Sequence, residues 1–274
     1  MIKFLKKIAA APTRALARLL GFGNFLDTTA LWAIVFKLNP QGDDGSILLQ
    51  KIYFKYGLDE ARNTAVKIIS ASKSAKPAAV MASIEFQNGN IDDANRWIKL
   101  ADEKNCEDPE FILLTKLYMS EFYPEYDKKH IIDQILSINY LPMEITRIAL
   151  IEKSFTALED KDLQLSGQIA DRILTVEENY AARIVKAAIA IANKNLDQAE
   201  KLLIKAQEKI TPAQFYPLAS HALICVGHTE MAMEYLCRAG KLNDNLVRSN
   251  TLVGSLARSQ EFADYCSRRK QKST

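Results

Sequence analysis

Apolar residues along this chain recur at helical spacing, and three stretches repeat one arrangement of them. NGNIDDANRWIKLADE (88–103), NKNLDQAEKLLIKAQE (193–208) and VGHTEMAMEYLCRAGK (226–241) each carry a polar turn, an alanine, a large apolar residue four on and a second alanine seven on. The trios are Ala94/Ile98/Ala101, Ala199/Leu203/Ala206 and Ala232/Leu236/Ala239. Positions i, i+4 and i+7 share one helical stripe. Alanine lets two helix backbones approach, and the large residue fills the gap beside it. The same phase occurs at Ala61, Ala65 and Ile68, with Ala61 33 residues before Ala94. Two degenerate units fit between Ala94 and Ala199, with Lys129 and Ser166 at the marker position. Tyr265 marks a truncated last unit.

A period near 33 residues predicts stacked helical hairpins in place of one closed core. The first helices of the pairs are expected at Ile47–Tyr56, Ala79–Phe86, Ile112–Met119, Ile145–Phe155, Ile184–Ala192 and Phe215–Val226. Gly89 and Gly227 are expected to end first helices in the left-handed conformation that glycine tolerates. Asp92, Asp197 and Thr229 are the expected N-caps of the second helices. No strand-like alternation of useful length occurs. The expected fold is all-α, a right-handed α-solenoid of about seven helix-turn-helix repeats over residues 43–274. A basic amphipathic segment and a capping helix precede it over 1–42. Ala61, Ala94, Ala101, Ala199, Ala206, Ala232 and Ala239 are the predicted packing residues.

The units over roughly 44–274 resemble tetratricopeptide (TPR) repeats. The alanine–aromatic half of the pattern is kept in three units. The Trp and Leu-Gly signature of the first helix is mostly absent, with Ala82, Ala187 and Ser220 as its small residues. The closing proline is irregular, with Pro77, Pro109 and Pro212 as its nearest counterparts. The resemblance implies a concave face, lined by first helices, that binds an extended peptide or a partner helix. One TPR subtype grips a C-terminal carboxylate with paired lysines and asparagines. The corresponding positions here are Ile47/Gln50, Val80/Ser83, Thr115/Tyr118, Glu152/Phe155, Val185/Ala188 and Leu218/His221. None is asparagine, so a clamp for chaperone tails is not expected.

The first 22 residues place Ile2, Leu5 and Ile8 on one face before Pro12, then Leu16, Leu19 and Leu20 after it. Lys3, Lys6, Lys7, Arg14 and Arg18 fall between them, and no acid precedes Asp27. With Phe4, these basic residues form a candidate contact for an anionic membrane surface. A cap on the helical stack and a mitochondrial targeting segment are the other readings. Thr28–Pro40 reads as a half-repeat helix with Trp32 in the core.

The net charge of +3 conceals an asymmetry. Five basic residues sit at the N-terminus and Arg268, Arg269, Lys270 and Lys272 at the C-terminus. The remaining 27 basic residues face 33 acids. An acidic body cannot neutralise phosphates, so nucleic acid is not an expected partner. The four cysteines, Cys106, Cys225, Cys237 and Cys266, show no CxxC spacing, which favours a reducing compartment. No apolar run approaches the roughly 20 residues of a membrane-spanning helix.

No catalytic motif is present, and no cofactor or metal is expected. His221, Cys225, His228 and Cys237 carry zinc-type donors, but Gly227 should break the helix before His228. A buried thiol beside a hydrogen-bonded histidine is the expected arrangement. The turn Glu107-Asp108-Pro109-Glu110 reads as a solvated loop. Tyr118, Phe122, Tyr123 and Tyr126 cluster in the most degenerate unit and are candidate partner-binding residues. The expected function is a non-enzymatic scaffold or adaptor for a protein partner, cytoplasmic or peripheral on a membrane, with a mitochondrial location as the alternative. An assembly factor or accessory subunit of a large complex is one alternative function. A regulatory or catalytic protein with an unrecognised site is the other.

Overall fold

The computed structural model describes residues 29–38, 44–104, 109–240 and 242–272. These residues form sixteen helices and, among the described residues, no strand. The chain is all-α, as expected, and its helices fall into two compact units that meet between Met119 and Ser120. That boundary lies inside the repeat whose pattern is weakest.

The first unit holds α1 (Thr29–Leu38), α2 (Asp44–Tyr56), α3 (Leu58–Ala71), α4 (Lys76–Gln87), α5 (Ile91–Asp102) and α6 (Pro109–Met119). α2 packs on α3 and α4, α4 pairs with α5, and α6 lies against both. Trp32 is buried with Val35, Leu49, Ile68 and Met81, as its apolar surroundings in the sequence suggested. The second unit holds α7 (Lys128–Ser137), α8 (Met143–Glu159), α9 (Leu163–Val176), α10 (Tyr180–Ala192), α11 (Leu196–Gln207), α12 (Pro212–Cys225) and α13 (Thr229–Ala239). Three shorter or terminal helices follow: α14 (Asp244–Arg248), α15 (Leu252–Ala257) and α16 (Gln260–Lys272). The hairpins α8–α9, α10–α11 and α12–α13 stack in order, with α7 on α8 and α15 on α12.

Four hairpin turns share one geometry. Residues 89, 161, 194 and 227 adopt positive φ (80°, 66°, 63° and 84°). The amide that follows each donates to the carbonyl five residues back: Asn90 to Glu85, Asp162 to Ala157, Asn195 to Ala190 and His228 to Leu223, at 2.8–2.9 Å. This is the six-to-one bond of the Schellman motif, which satisfies the orphan carbonyls of a helix end. Glycine fills two of these positions, as expected. Lysine fills the other two, Lys161 and Lys194.

The N-caps differ from the expected ones. They are Asn90, Asn195 and His228, one or two residues before Asp92, Asp197 and Thr229. The residue that closes the Schellman turn also opens the next helix, so no spacer remains for a later cap. Asn195 accepts from the Gln198 amide, and Asp162 caps α9 in the same way at Leu165. Asp92 and Asp93 instead occupy the first turn, where they favour the positive end of the helix dipole.

Counting four residues on from each cap recovers the packing register. The amides of Ala61, Ala94, Ile131, Ser166, Ala199 and Ala232 donate to the carbonyls of Gly57, Asn90, Asp127, Asp162, Asn195 and His228. All six residues are at most 5% exposed. The marker of the degenerate unit is therefore Ile131. Lys129 lies two residues out of phase, exposed and paired with Asp160, because Asp127 caps α7 later than the turn pattern suggested. In α16 the same count from Ser259 reaches Ala263 and not Tyr265; Ala263 is exposed because no further described helix covers it.

Each marker in four units lies twelve residues after a small buried residue of the preceding helix: Ala82, Ser154, Ala187 and Ser220. The serines show what this proximity does. Ser166 Oγ donates to the Ser154 carbonyl at 2.9 Å, and Ser154 Oγ returns a bond to the Ser166 carbonyl at 3.0 Å. Ser220 Oγ donates to the Ala232 carbonyl at 3.0 Å. Ala101 and Ala206 are also buried; Ala239, near the end of α13, is half-buried.

The expectation of reduced thiols fails for one pair. Cys237 of α13 and Cys266 of α16 form a disulfide across 29 residues. No short motif announces it, because two separate helices bring the sulfurs together. α16 is mostly exposed and packs chiefly on α13 and α15, so the disulfide is its strongest tether. Reduction is expected to accelerate amide exchange throughout α16 while α8 to α13 keep their protection. Exchange measured by mass spectrometry with and without dithiothreitol checks this; an unchanged α16 would mean that noncovalent contacts suffice.

Candidate functional site

The first helices carry the residues expected to line a binding groove, and most of these are not open. Val80 and Thr115 in the first unit are buried, as are Phe155, Val185 and Ala188 in the second. Within the second unit, the turn before α15 crosses to the loop that precedes α7: Asn250 Nδ2 donates to the Phe122 carbonyl at 2.9 Å. In the second unit Glu152 and His221 are the polar members of this set, both half-buried, and they belong to a cluster of charges packed inside the unit.

His221 is at the centre of that cluster. Its Nε2–H donates to Glu159 Oε1 at 2.7 Å, and the side chains are 13% and 31% exposed. Cys225, one turn further along α12 and wholly buried, brings its sulfur within 4.8 Å of the imidazole nitrogen and the Glu159 oxygen. The Phe155 ring lies 5.3 Å from the imidazole, centre to centre. Lys161 Nζ donates to the Cys225 carbonyl and so ties the α8–α9 turn to the end of α12. Lys128 pairs with Glu152 at 2.7 Å, and Glu121 lies close enough to feel both charges.

The electrostatics follow from these contacts. Burial alone would push the His221 imidazole down, but Cys225 and Glu159, each through hydrogen bonding and charge, lift it to about 9. Burial pushes Glu159 up; the bond and charge of His221, with Lys128 and Lys129, outweigh it and hold the carboxyl below its ordinary range. Burial and the Glu152 charge raise Glu121. Burial lowers Lys128, and its carboxylate neighbours, Glu152 first, more than restore it. The donors grouped in the sequence are thus divided: His221 and Cys225 meet Glu159, His228 caps α13, and Cys237 is in the disulfide. Glu159 was not legible as their partner, since 62 residues separate it from His221.

No family model matches this chain, and no curated protein does. Among solved structures it is similar to the crystal structure of PilW, described as a widely conserved type IV pilus biogenesis factor. In fold, the two chains are alike. The TM-score is 0.52 at 15% identity, over 80% of this chain and 96% of the PilW chain. The likeness to PilW is one of helical-repeat architecture. It supports a TPR-like organisation, as the repeat pattern implied, and carries no residue-level correspondence.

The four aromatic candidates are divided between the two units. Tyr118 is on α6, stacked on Phe86 at 5.8 Å in the first unit. Phe122, Tyr123 and Tyr126 lie in the connection that opens the second unit, half-buried, with Tyr123 edge-on to Tyr126 at 6.3 Å. The membrane-surface candidates Lys3, Phe4, Lys6, Lys7, Arg14 and Arg18 lie outside the described residues, as does the Glu107–Asp108 part of the acidic turn. No helix among the described residues is long and apolar enough to cross a membrane.

A more open surface lies at the foot of α8 and α9. Leu141, Met143, Leu150, Ile173 and Val176 line a groove of about 310 Å³. Met143 is 71% exposed, Val176 68%, and the neighbouring Tyr140 is fully exposed. Arg147 on the rim is paired with Glu144 and Glu177. Arg172, also on the rim, makes no ion pair among the described residues.

Proposed function

We propose that this chain is a non-catalytic scaffold that holds a protein partner, in the manner of an assembly factor for a larger complex. The single observation that carries this reading is the exposed apolar groove built on a rigid stack of hairpins. Exposed aliphatic side chains grouped around a cleft are a feature of interaction sites. The occupant is a protein segment with an apolar anchor for Met143, Leu150 and Val176 and an acidic residue for Arg172. Phe122, Tyr123 and Tyr126 are a second, smaller contact in the same unit. The description of PilW as a biogenesis factor supports an assembly role over a catalytic one. The basic N-terminal segment holds the scaffold at an anionic membrane surface. The Cys237–Cys266 disulfide favours an oxidising compartment over the cytoplasm.

One affinity experiment tests these parts together. The full chain, the chain without residues 1–26, a Met143→Glu/Val176→Glu variant and a Phe122→Ala/Tyr123→Ala/Tyr126→Ala variant are each used to capture proteins from the native source. The groove variant is expected to lose the protein retained by the full chain, by at least tenfold. The truncated chain is expected to keep that protein and to lose association with anionic vesicles. Full retention by the groove variant would remove the groove from the binding surface.

A further inference from the structure

We propose that Glu159, His221 and Cys225 form a binding site for a soft-to-borderline divalent metal ion, zinc above all. The three residues offer a carboxylate oxygen, an imidazole nitrogen and a thiol sulfur, all within 4.8 Å of one another. Tetrahedral zinc holds such donors at about 2.0–2.3 Å, which sets them roughly 3.5 Å apart. The widest spacing therefore closes by about 1 Å and the His221–Glu159 pair, at 2.7 Å, opens by about as much, movements within reach of side-chain rotation. No other group of three such donors meets this way among the described residues.

The scaffold is suited to hold these donors. His221 and Cys225 stand on successive turns of α12, and Glu159 is the last residue of α8. Lys161 Nζ anchors the backbone carbonyl of Cys225, and Phe155 walls the imidazole from one side. Cys225 is wholly buried and His221 nearly so, whereas Glu159 is partly open. Three protein donors leave the fourth tetrahedral position for water. A thiolate in the set selects zinc or cobalt over magnesium or calcium, which prefer oxygen alone.

Charge also fits: a neutral imidazole, a carboxylate and a thiolate sum to zero with a divalent ion, and any protons these donors carried leave to solvent as it binds.

Cobalt is the probe. Chelator-treated full-length protein, with its disulfide intact, is titrated with Co²⁺. The expected result is one ion per chain, an intense near-ultraviolet thiolate-to-cobalt band, and displacement of that band by Zn²⁺. Cys225→Ser is expected to abolish the band, and His221→Gln to weaken binding at least tenfold, with unchanged far-ultraviolet circular dichroism. A wild-type chain that binds no cobalt at concentrations up to about 1 mM would overturn the site, whatever the variants do. A band that survives Cys225→Ser would overturn it equally, since the thiolate would then come from elsewhere.

Discussion

Arg62→Ala is expected to destabilise the first unit by about 3 kcal/mol, the lower end of the range for breaking a buried ion pair. Arg62 of α3 reaches Glu85 of α4 through two bonds, Nε to Oε1 at 2.6 Å and Nη2 to Oε2 at 2.7 Å. The Glu85 side chain is only 1% exposed, while that of Arg62 is 35% exposed. The asymmetry sets the outcome. Without Arg62, a carboxylate stays buried with Asn90 Nδ2 as its remaining partner. Without Glu85, the guanidinium can turn to water and to Asp93, so Glu85→Ala is expected to cost less. Replacing both by apolar residues, Arg62→Met with Glu85→Leu, is expected to recover most of the loss. Urea unfolding of the three variants checks the order. Equal losses in the two single variants would show that the pair is effectively solvated.

The second large effect is on pH dependence. With EDTA present, stability is expected to fall by about 2–3 kcal/mol between pH 6.5 and 9. The sign follows from proton binding. Folded His221 holds its proton up to about 9, and the unfolded imidazole releases it near 6.5. Above 6.5 the folded state therefore binds more protons, and raising the pH favours unfolding until the folded imidazole also titrates. The Glu159 carboxyl, held low, adds stability above its unfolded value that is lost as pH falls through its folded one. The pair thus contributes fully between roughly pH 4.5 and 6.5 and weakens on both sides. Denaturation midpoints across pH 5–10 measure this. His221→Gln is expected to flatten the alkaline limb; the same slope in that variant would assign it to other groups.

The sequence disclosed these features unevenly, for physical reasons. Close helix contacts demand small residues at fixed intervals, so Ala94, Ala199 and Ala232 were legible at once. Gly89 and Gly227 revealed their turns because positive φ favours glycine. Lys161 and Lys194 adopt the same conformation, yet lysine carries no such mark, so positive φ there was not legible. The register of α7 slipped because its turn is not of the Schellman type, so counting from the turn pattern reached Lys129 and not Ile131. The Arg62–Glu85 clamp, the His221–Glu159 pair and the Cys237–Cys266 disulfide span 23, 62 and 29 residues. Contacts of that range depend on how hairpins stack. The repeat predicts that they stack, but it does not specify which polar groups then meet.

A tryptophan scan across three second helices tests the stacking most directly. Ala61, Ala94 and Ala199 are at most 2% exposed, whereas the residues two positions on, Asn63, Arg96 and Lys201, face solvent. Tryptophan at each alanine is expected to lower stability by about 1–3 kcal/mol or more through overpacking. At each companion position the change should stay within about 0.5 kcal/mol. Equal effects at the two sets of positions would contradict the shared register of the hairpins.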